Sequence, residues 1–307
     1  MNLRQIKYVI TLADTGSFSG AAEILNISQP SLSQYVKKIE EELGMPLFER
    51  SNGSVNTTDA GKVYVKTGRK MLNLENNMLN QLADISKNKL GSITIGTTPF
   101  RSVTMMPYVT KKFKDKYNGI EVIIREMETK ELAQTAVRGD FDLCLTTLPI
   151  NETLFEYDVI LEEEIVLAVK KGCEFDKVLA GKAKIIKNRA HKVIDINLIR
   201  GEKCVMVPEN QAMQKVLNNL IYKYDLNLIK AAEVKRLEAQ IEMVAAGVGS
   251  TIVPAGLQKS GRIYDNINCY SFLQEDSKRT LAVAYKKDKY LTRPMKDLIK
   301  IFKGERL

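Results

Sequence analysis

Between residues 26 and 40 the chain reads NISQPSLSQYVKKIE, and the apolar positions Leu32, Val36, Ile39 and Leu43 recur at helical spacing. The face opposite that stripe carries Gln29, Ser33, Gln34 and Lys37, mostly short hydrogen-bonding side chains with little charge. Ser28 fits the cap of such a helix, and Pro30 is tolerated in its first turn, where a missing N–H has no partner to lose. At a helix N-terminus these side chains can bond base edges in a DNA major groove: a glutamine through two bonds to adenine, a serine as donor or acceptor. Lys37 and Lys38 have the reach for phosphates, which fix register without reading sequence. Pro30 and Ser31 complete this candidate set. Downstream, Arg50 is placed to enter a minor groove or hold a phosphate, and Thr57 to bond a phosphate. Without their neighbours the same residues also describe a capped surface helix and an arginine paired with Glu49.

A second constellation lies further on. Thr97, Thr98, Phe100 and Arg101 fall where an expected strand, SITIGTT, meets a helix; Thr146 and Thr147 end another strand, FDLCLTT; Asn210 and Gln211 start a later helix. Open α/β sheets bind ligands outside the C-terminal ends of their strands. Hydroxyls, free backbone N–H groups and an arginine around a helix start suit a carboxylate or phosphate, so the expected occupant is a small anionic metabolite. The alternative for each threonine is a cap that touches no ligand.

Other chemistries find less support. The lone histidine, His191, has no serine–acid or cysteine arrangement near it, and no G-x-G-x-x-G, P-loop or H-E-x-x-H occurs, so neither an enzyme nor a bound cofactor or metal is expected. Glu162, Glu163 and Glu164 read as a solvated strand end or hinge. Cys144, Cys173, Cys204 and Cys269 are far apart with no C-x-x-C, the pattern of buried, reduced thiols in a cytoplasm rather than of a disulfide scaffold, a zinc site or a peroxide-sensing pair. The start, MNLRQIKYVI, lacks the apolar stretch of a signal peptide, and no apolar run reaches the roughly 18 residues of a membrane span.

Several elements must position these residues. The 307 residues allow roughly two domains. Residues 1–45 read as three short helices with a tight turn before the third, a helix-turn-helix. Two short strands around Ser51-Asn52-Gly53-Ser54 suggest a β-wing. Thr58 then caps a long helix to about residue 88, in which Met71, Leu74, Met78, Leu82 and Ile85 keep a near-heptad spacing and suggest a coiled-coil partner. From residue 92 strands alternate with helices, including Pro99 to Tyr117, Thr129 to Arg138, Asn210 to Tyr224 and Leu237 to Ala246, which implies a parallel sheet in two cleft-forming halves. The expected boundaries are 1–58, 59–90 and 91–307, the last divided into 91–162 with 270–307 and 163–269, with hinges near 161–163 and 268–271. Net charge is +9, but residues 1–90 hold 11 Lys and Arg against 9 Asp and Glu, only +2 of it. DNA affinity must therefore come from local placement and dimerisation.

The stretch SFSGAAEILNISQPSLSQYVKKIEEELGMPLFER, followed by TTDAG, resembles the winged helix-turn-helix of LysR-type transcriptional regulators, and VAAGVGSTIVPAGL is similar to a glycine-containing motif near the end of that family's effector domain. The resemblance implies an α/β chain with an N-terminal winged helix-turn-helix, a long linker helix and a two-subdomain effector domain like a periplasmic binding protein. It also implies a homodimer or homotetramer on an interrupted palindrome of double-stranded DNA, a small-molecule co-inducer in the cleft, and RNA polymerase as a partner. Two departures stand out. Gln34 replaces an arginine common in the family, and the connection KVLAGKAKIIKNRAHKVIDINLIRG is longer and more basic than usual. A regulator with a vestigial cleft and a solute-binding protein remain as alternatives.

Overall fold

Asn2 accepts from the Gln5 backbone while the Gln5 side chain accepts from the Asn2 N–H, and this capping box opens α1 (Leu3–Thr15). Ser17 caps α2 (Phe18–Leu25), Asn26 turns the chain in the left-handed region that Asn tolerates, and Ser28 caps α3 (Gln29–Leu43). The apolar faces of the three helices bury Val9, Leu12, Ala21, Leu32, Val36 and Ile39 together. The wing follows as β1 (Phe48–Ser51) antiparallel to β2 (Ser54–Thr57), and Thr58 caps α4 (Asp59–Ile85). Gly61 lies so close to the chain before the wing that a Cβ there would fall 2.1 Å from the Leu47 carbonyl oxygen. This computed structural model describes residues 2–51, 54–86, 91–189, 191–256, 265–274 and 277–304. The Asn52-Gly53 turn, the Arg50 side chain and the end of the long helix beyond residue 86 lie outside the described residues.

The chain divides into two units, Met1–Asn88 and Lys89–Leu307. The second contains β3 (Gly91–Thr97), α5 (Pro99–Thr104), α6 (Met106–Lys116), β4 (Ile120–Glu126), α7 (Thr129–Arg138) and β5 (Leu143–Thr147), then β6 (Phe155–Lys170) and α8 (Glu174–Lys182). After β7 (Val193–Ile194) and a 3-10 turn come β8 (Lys203–Met206), α9 (Ala212–Tyr224), β9 (Ile229–Glu233), α10 (Leu237–Ala246) and β10 (Thr251–Pro254). The unit closes with β11 (Ile267–Phe272), β12 (Lys278–Lys286) and α11 (Arg293–Phe302).

Strand β6 organises this unit. Its first part pairs with β12 in a sheet ordered β4-β3-β5-β12-β6, and its last residues pair with β10 and β11 in a second subdomain. Each subdomain has its own core, Ile95, Phe113, Leu143, Leu145, Val283 and Leu298 in one and Leu167, Leu179, Leu217, Leu220, Ile252 and Phe272 in the other. Strands β3, β4 and β5 are parallel, as the alternation with helices implies, but β12 runs antiparallel between β5 and β6.

Four sequence expectations need correction. The helix expected over Pro99 to Tyr117 is two helices, because Pro107 lacks an N–H and excludes a continuous first turn, so the chain breaks at Met105 and restarts. The helix expected from Asn210 begins at Ala212. Glu162 to Glu164 lie inside β6, just before the chain crosses between subdomains as the hinge reading expects, but they are not a solvated end: Glu162 is exposed, Glu163 buried and Glu164 half-buried. The second crossing between subdomains is not at 268–271, which falls within β11, but between Phe272 and Lys278; the first follows Glu164.

Candidate functional site

At the start of α3, Ser28 Oγ accepts from the Ser31 N–H at 3.2 Å and lies 2.7 Å from Ser31 Oγ, so both serines are engaged in ending the helix. That leaves Gln29, Pro30, Gln34, Lys37 and Lys38 exposed and Ser33 half-buried on the face away from Leu32, Val36 and Ile39. Lys37 makes only an exposed contact with Glu41 at 3.7 Å. The wing is fixed to this helix by Glu40, whose Oε1 accepts from the N–H groups of Leu47 at 2.7 Å and Phe48 at 3.0 Å. It is tied to the turn before α2 by the Val55 N–H, which donates to the Gly16 carbonyl at 3.1 Å. Thr57, half-buried, closes β2 opposite Phe48, and the Thr58 hydroxyl donates to the Pro46 carbonyl while capping α4. The first unit thus presents a polar helix start with a β-ribbon held beside it. On α4, Leu74, Met78, Leu82 and Ile85 are exposed, Ile85 by 78%, and Met71 is half-buried.

In the second unit a cavity of about 280 Å³ opens among the ends of β3 and β5 and the starts of α5, α7, α9 and α10. Thr98, Phe100, Arg101, Thr146, Thr147 and Gln211 line it. Two expected residues do not. Thr97 is fully buried with its hydroxyl unpaired, one residue too early on β3, and Asn210 is exposed in the turn before α9. The Gln211 side-chain amide donates to the Lys235 carbonyl at 2.6 Å, tying the start of α9 to the loop before α10.

The floor of the cavity contains a buried row of charges. Arg101 donates through both terminal nitrogens to the two Glu163 oxygens, and Arg279 Nε donates to Glu163 Oε2 at 2.8 Å. The side chains are 8%, 4% and 10% exposed respectively for Arg101, Glu163 and Arg279. Burial pushes the Glu163 carboxyl up, but the guanidinium groups of Arg279 and Arg101 outweigh it and hold the group below its ordinary range. Arg101 therefore reaches the cavity with its charge already shared with Glu163. Next to it, Glu164 accepts from the Ser271 hydroxyl at 2.7 Å and pairs with Arg189 at 3.3 Å.

Sequence reasoning missed Glu163, Arg279, Lys235, Arg236, Glu128 and Glu238 at or behind this site. The three consecutive glutamates could have signalled it, since an acidic run inside an otherwise apolar strand demands buried cations. Nothing local pointed to Arg279, which joins Glu163 only through the pairing of β12 with β6.

All four cysteines are free; burial pushes the thiols of Cys144, Cys204 and Cys269 up to about 12, and Cys173 Sγ caps α8. Among the described residues no group of three or more His, Cys, Asp or Glu is placed to hold a metal ion, and no helix is long and apolar enough to cross a membrane.

A winged helix-turn-helix and a two-subdomain α/β unit with a polar cleft together define a DNA-binding regulator with a small-molecule-binding fold. The model for the LysR substrate binding domain matches residues 86–306, and that for the bacterial regulatory helix-turn-helix protein of the lysR family matches residues 3–62. The chain belongs to the LysR family of transcriptional regulators. It is 27% identical over 294 residues to a hydrogen peroxide-inducible genes activator of Haemophilus influenzae, covering 93% of this chain and 91% of that protein. It is also 27% identical over 297 residues to an uncharacterized HTH-type transcriptional regulator of Bacillus subtilis, covering 95% and 91%. Among solved structures, a full-length OxyR variant from Pseudomonas aeruginosa is similar with a TM-score of 0.67 at 20% identity, covering 99% of this chain and 97% of that one. Full-length CbnR in complex with its target DNA has a TM-score of 0.61 at 20% identity, covering 99% of each chain.

Proposed function

We propose that this regulator reads double-stranded DNA through Gln29, Ser33 and Gln34, anchors on phosphates through Lys37, Lys38 and Thr57, and responds to a small anionic co-inducer in the cavity of its second unit. The observation that carries the reading is the exposed polar first turn of α3 with the wing fixed beside it by Glu40. Gln34, where an arginine is common in the family, shifts the base preference from guanine towards adenine. The co-inducer is anionic because four cationic side chains and two carboxylates line the cavity. With Glu163 behind them, an excess of one positive charge remains. The protein acts as a homodimer or homotetramer assembled through α4, on an interrupted palindrome and with RNA polymerase as the downstream partner, and it carries out no chemistry of its own.

The test is fluorescence anisotropy of the full chain on DNA from upstream of its own gene, with scrambled DNA as control, over a salt series. Specific binding that falls about tenfold or more in Gln34→Ala and Ser33→Ala supports the reading. Adding the small-molecule fraction of a cell extract is expected to change the isotherm. Unselective binding across a pool of genomic fragments, or an isotherm indifferent to the extract, sinks the DNA half or the co-inducer half respectively.

A further inference from the structure

Arg279 lines the cavity, yet its hydrogen bonds are spent unevenly. Nε is committed to Glu163, Nη1 reaches only the Met213 thioether at 3.2 Å, and Nη2 has no acceptor among the described residues. A guanidinium offers five N–H donors, and a thioether is a weak acceptor, so a side chain nine-tenths buried keeps a donor edge with no oxygen to meet it. Arg101 differs in that both of its terminal nitrogens are on Glu163, so its two-nitrogen edge already holds a carboxylate.

The surroundings favour negative charge at the same place. Helices α7, α9 and α10 all bring their first residues to this cavity: Thr129, Ala212 with Met213, and Leu237 with Glu238. None of the three starts has a side-chain cap, whereas α1, α2, α3, α4, α8 and α11 all do. Uncapped first-turn N–H groups need acceptors and carry partial positive charge.

Building on the co-inducer reading above, we infer that the cavity takes a carboxylate whose two oxygens seat on the terminal nitrogens of Arg279, completing an alternating row Arg101–Glu163–Arg279–carboxylate. The row explains why the carboxylate of Glu163 is buried at all. It holds Arg279 in one rotamer and keeps its fork turned to the cavity, so Glu163 is a positioning residue and Arg279 the binding residue. One carboxylate also matches the single excess positive charge of the site, which a phosphate dianion would overshoot. Glu163 lies one residue before the last that β6 pairs with β12 ahead of the first crossing, and Arg279 follows the second crossing, so occupancy of this fork acts on both connections at once.

Acetate is the probe, small enough to enter without matching the rest of the cavity. Thermal unfolding of the full chain is followed in acetate, acetamide and chloride at equal ionic strength, in the wild type, in Arg279→Lys and in the double variant Arg279→Met/Glu163→Gln. The double variant leaves no unpaired carboxylate and keeps the net charge of the buried row at plus one, so it separates the fork from the charge. We expect a saturable rise in melting temperature with acetate in the millimolar range and none with acetamide. Apparent affinity should fall roughly tenfold in Arg279→Lys and the rise should vanish in the double variant. An acetate response that survives in the double variant overturns the assignment, as does an equal response to acetamide, which would still leave the co-inducer reading standing. If acetate is silent while the extract fraction changes DNA binding, only the Arg279 anchor falls; if both are silent, the co-inducer reading falls with it.

Discussion

Glu163 accepts three hydrogen bonds from two guanidinium groups in a place almost closed to water, so its ionised form is far better satisfied folded than unfolded. Its pKa is held below the ordinary carboxylate range, and the stability it contributes is therefore complete above that range and lost as pH falls through the lowered native value. Glu163→Gln leaves two buried cations facing a neutral amide, a change expected to cost about 3–5 kcal/mol at neutral pH. Urea denaturation at pH 7 and again in acid should show the gap between wild type and variant closing as the wild-type carboxyl takes up its proton. A gap that stays constant would mean that the row is not ionised as described. The thiols belong to the same scale. Three are held well above the range in which a thiolate attacks peroxide, and the fourth, Cys173, is half-buried at the start of α8 with its sulfur accepting from the Asp176 N–H.

Most elements were legible in the sequence, and the reasons differ from one to the next. The caps Asn2, Ser17, Ser28 and Thr58 are local, because each bonds a backbone N–H three residues on, and local chemistry survives whatever the tertiary fold does. Strand β6 was not legible, since its buried Glu163 is satisfied by arginines from α5 and β12, far away along the chain. Of the eight candidate effector residues, six line the cavity. Thr97 and Asn210 missed the cavity because strand and helix ends cannot be placed more finely from periodicity. The start of α3 and the wing were visible as a pattern, whereas the Glu40 clamp between them was not, because the Leu47 and Phe48 backbone it binds lies beyond the end of the helix. The stripe on α4 belongs here too. Leu74, Met78, Leu82 and Ile85 follow one another at spacings of 4, 4 and 3 and stand exposed, which is the feature on which the proposed assembly through α4 rests. Leu74→Glu with Leu82→Glu places like charges across that seam and is expected to convert the oligomer to monomer in sedimentation velocity, with DNA binding weakened and the helix itself intact by circular dichroism. An unchanged oligomer would move the interface elsewhere.

At the scale of the whole chain, the two units carry opposite lessons about charge and order. The first is close to neutral, while the second holds +8 of the net +9. Within the second unit the sheet order β4-β3-β5-β12-β6 places the last strand between two that come much earlier. Removing residues 278–307 would take out β12, Arg279 and α11 together. It should leave the second unit unfolded while the first keeps its helical signal and its protease resistance; a stable second unit in that truncation would contradict the sheet order. During synthesis the same arrangement imposes a sequence of events. The DNA-reading unit emerges first and can fold on its own contacts, but β5 and β6 must wait with open edges until β12 is made. A nascent chain thus completes its helix-turn-helix before its cleft exists, and a chain that stalls late would carry the one without the other.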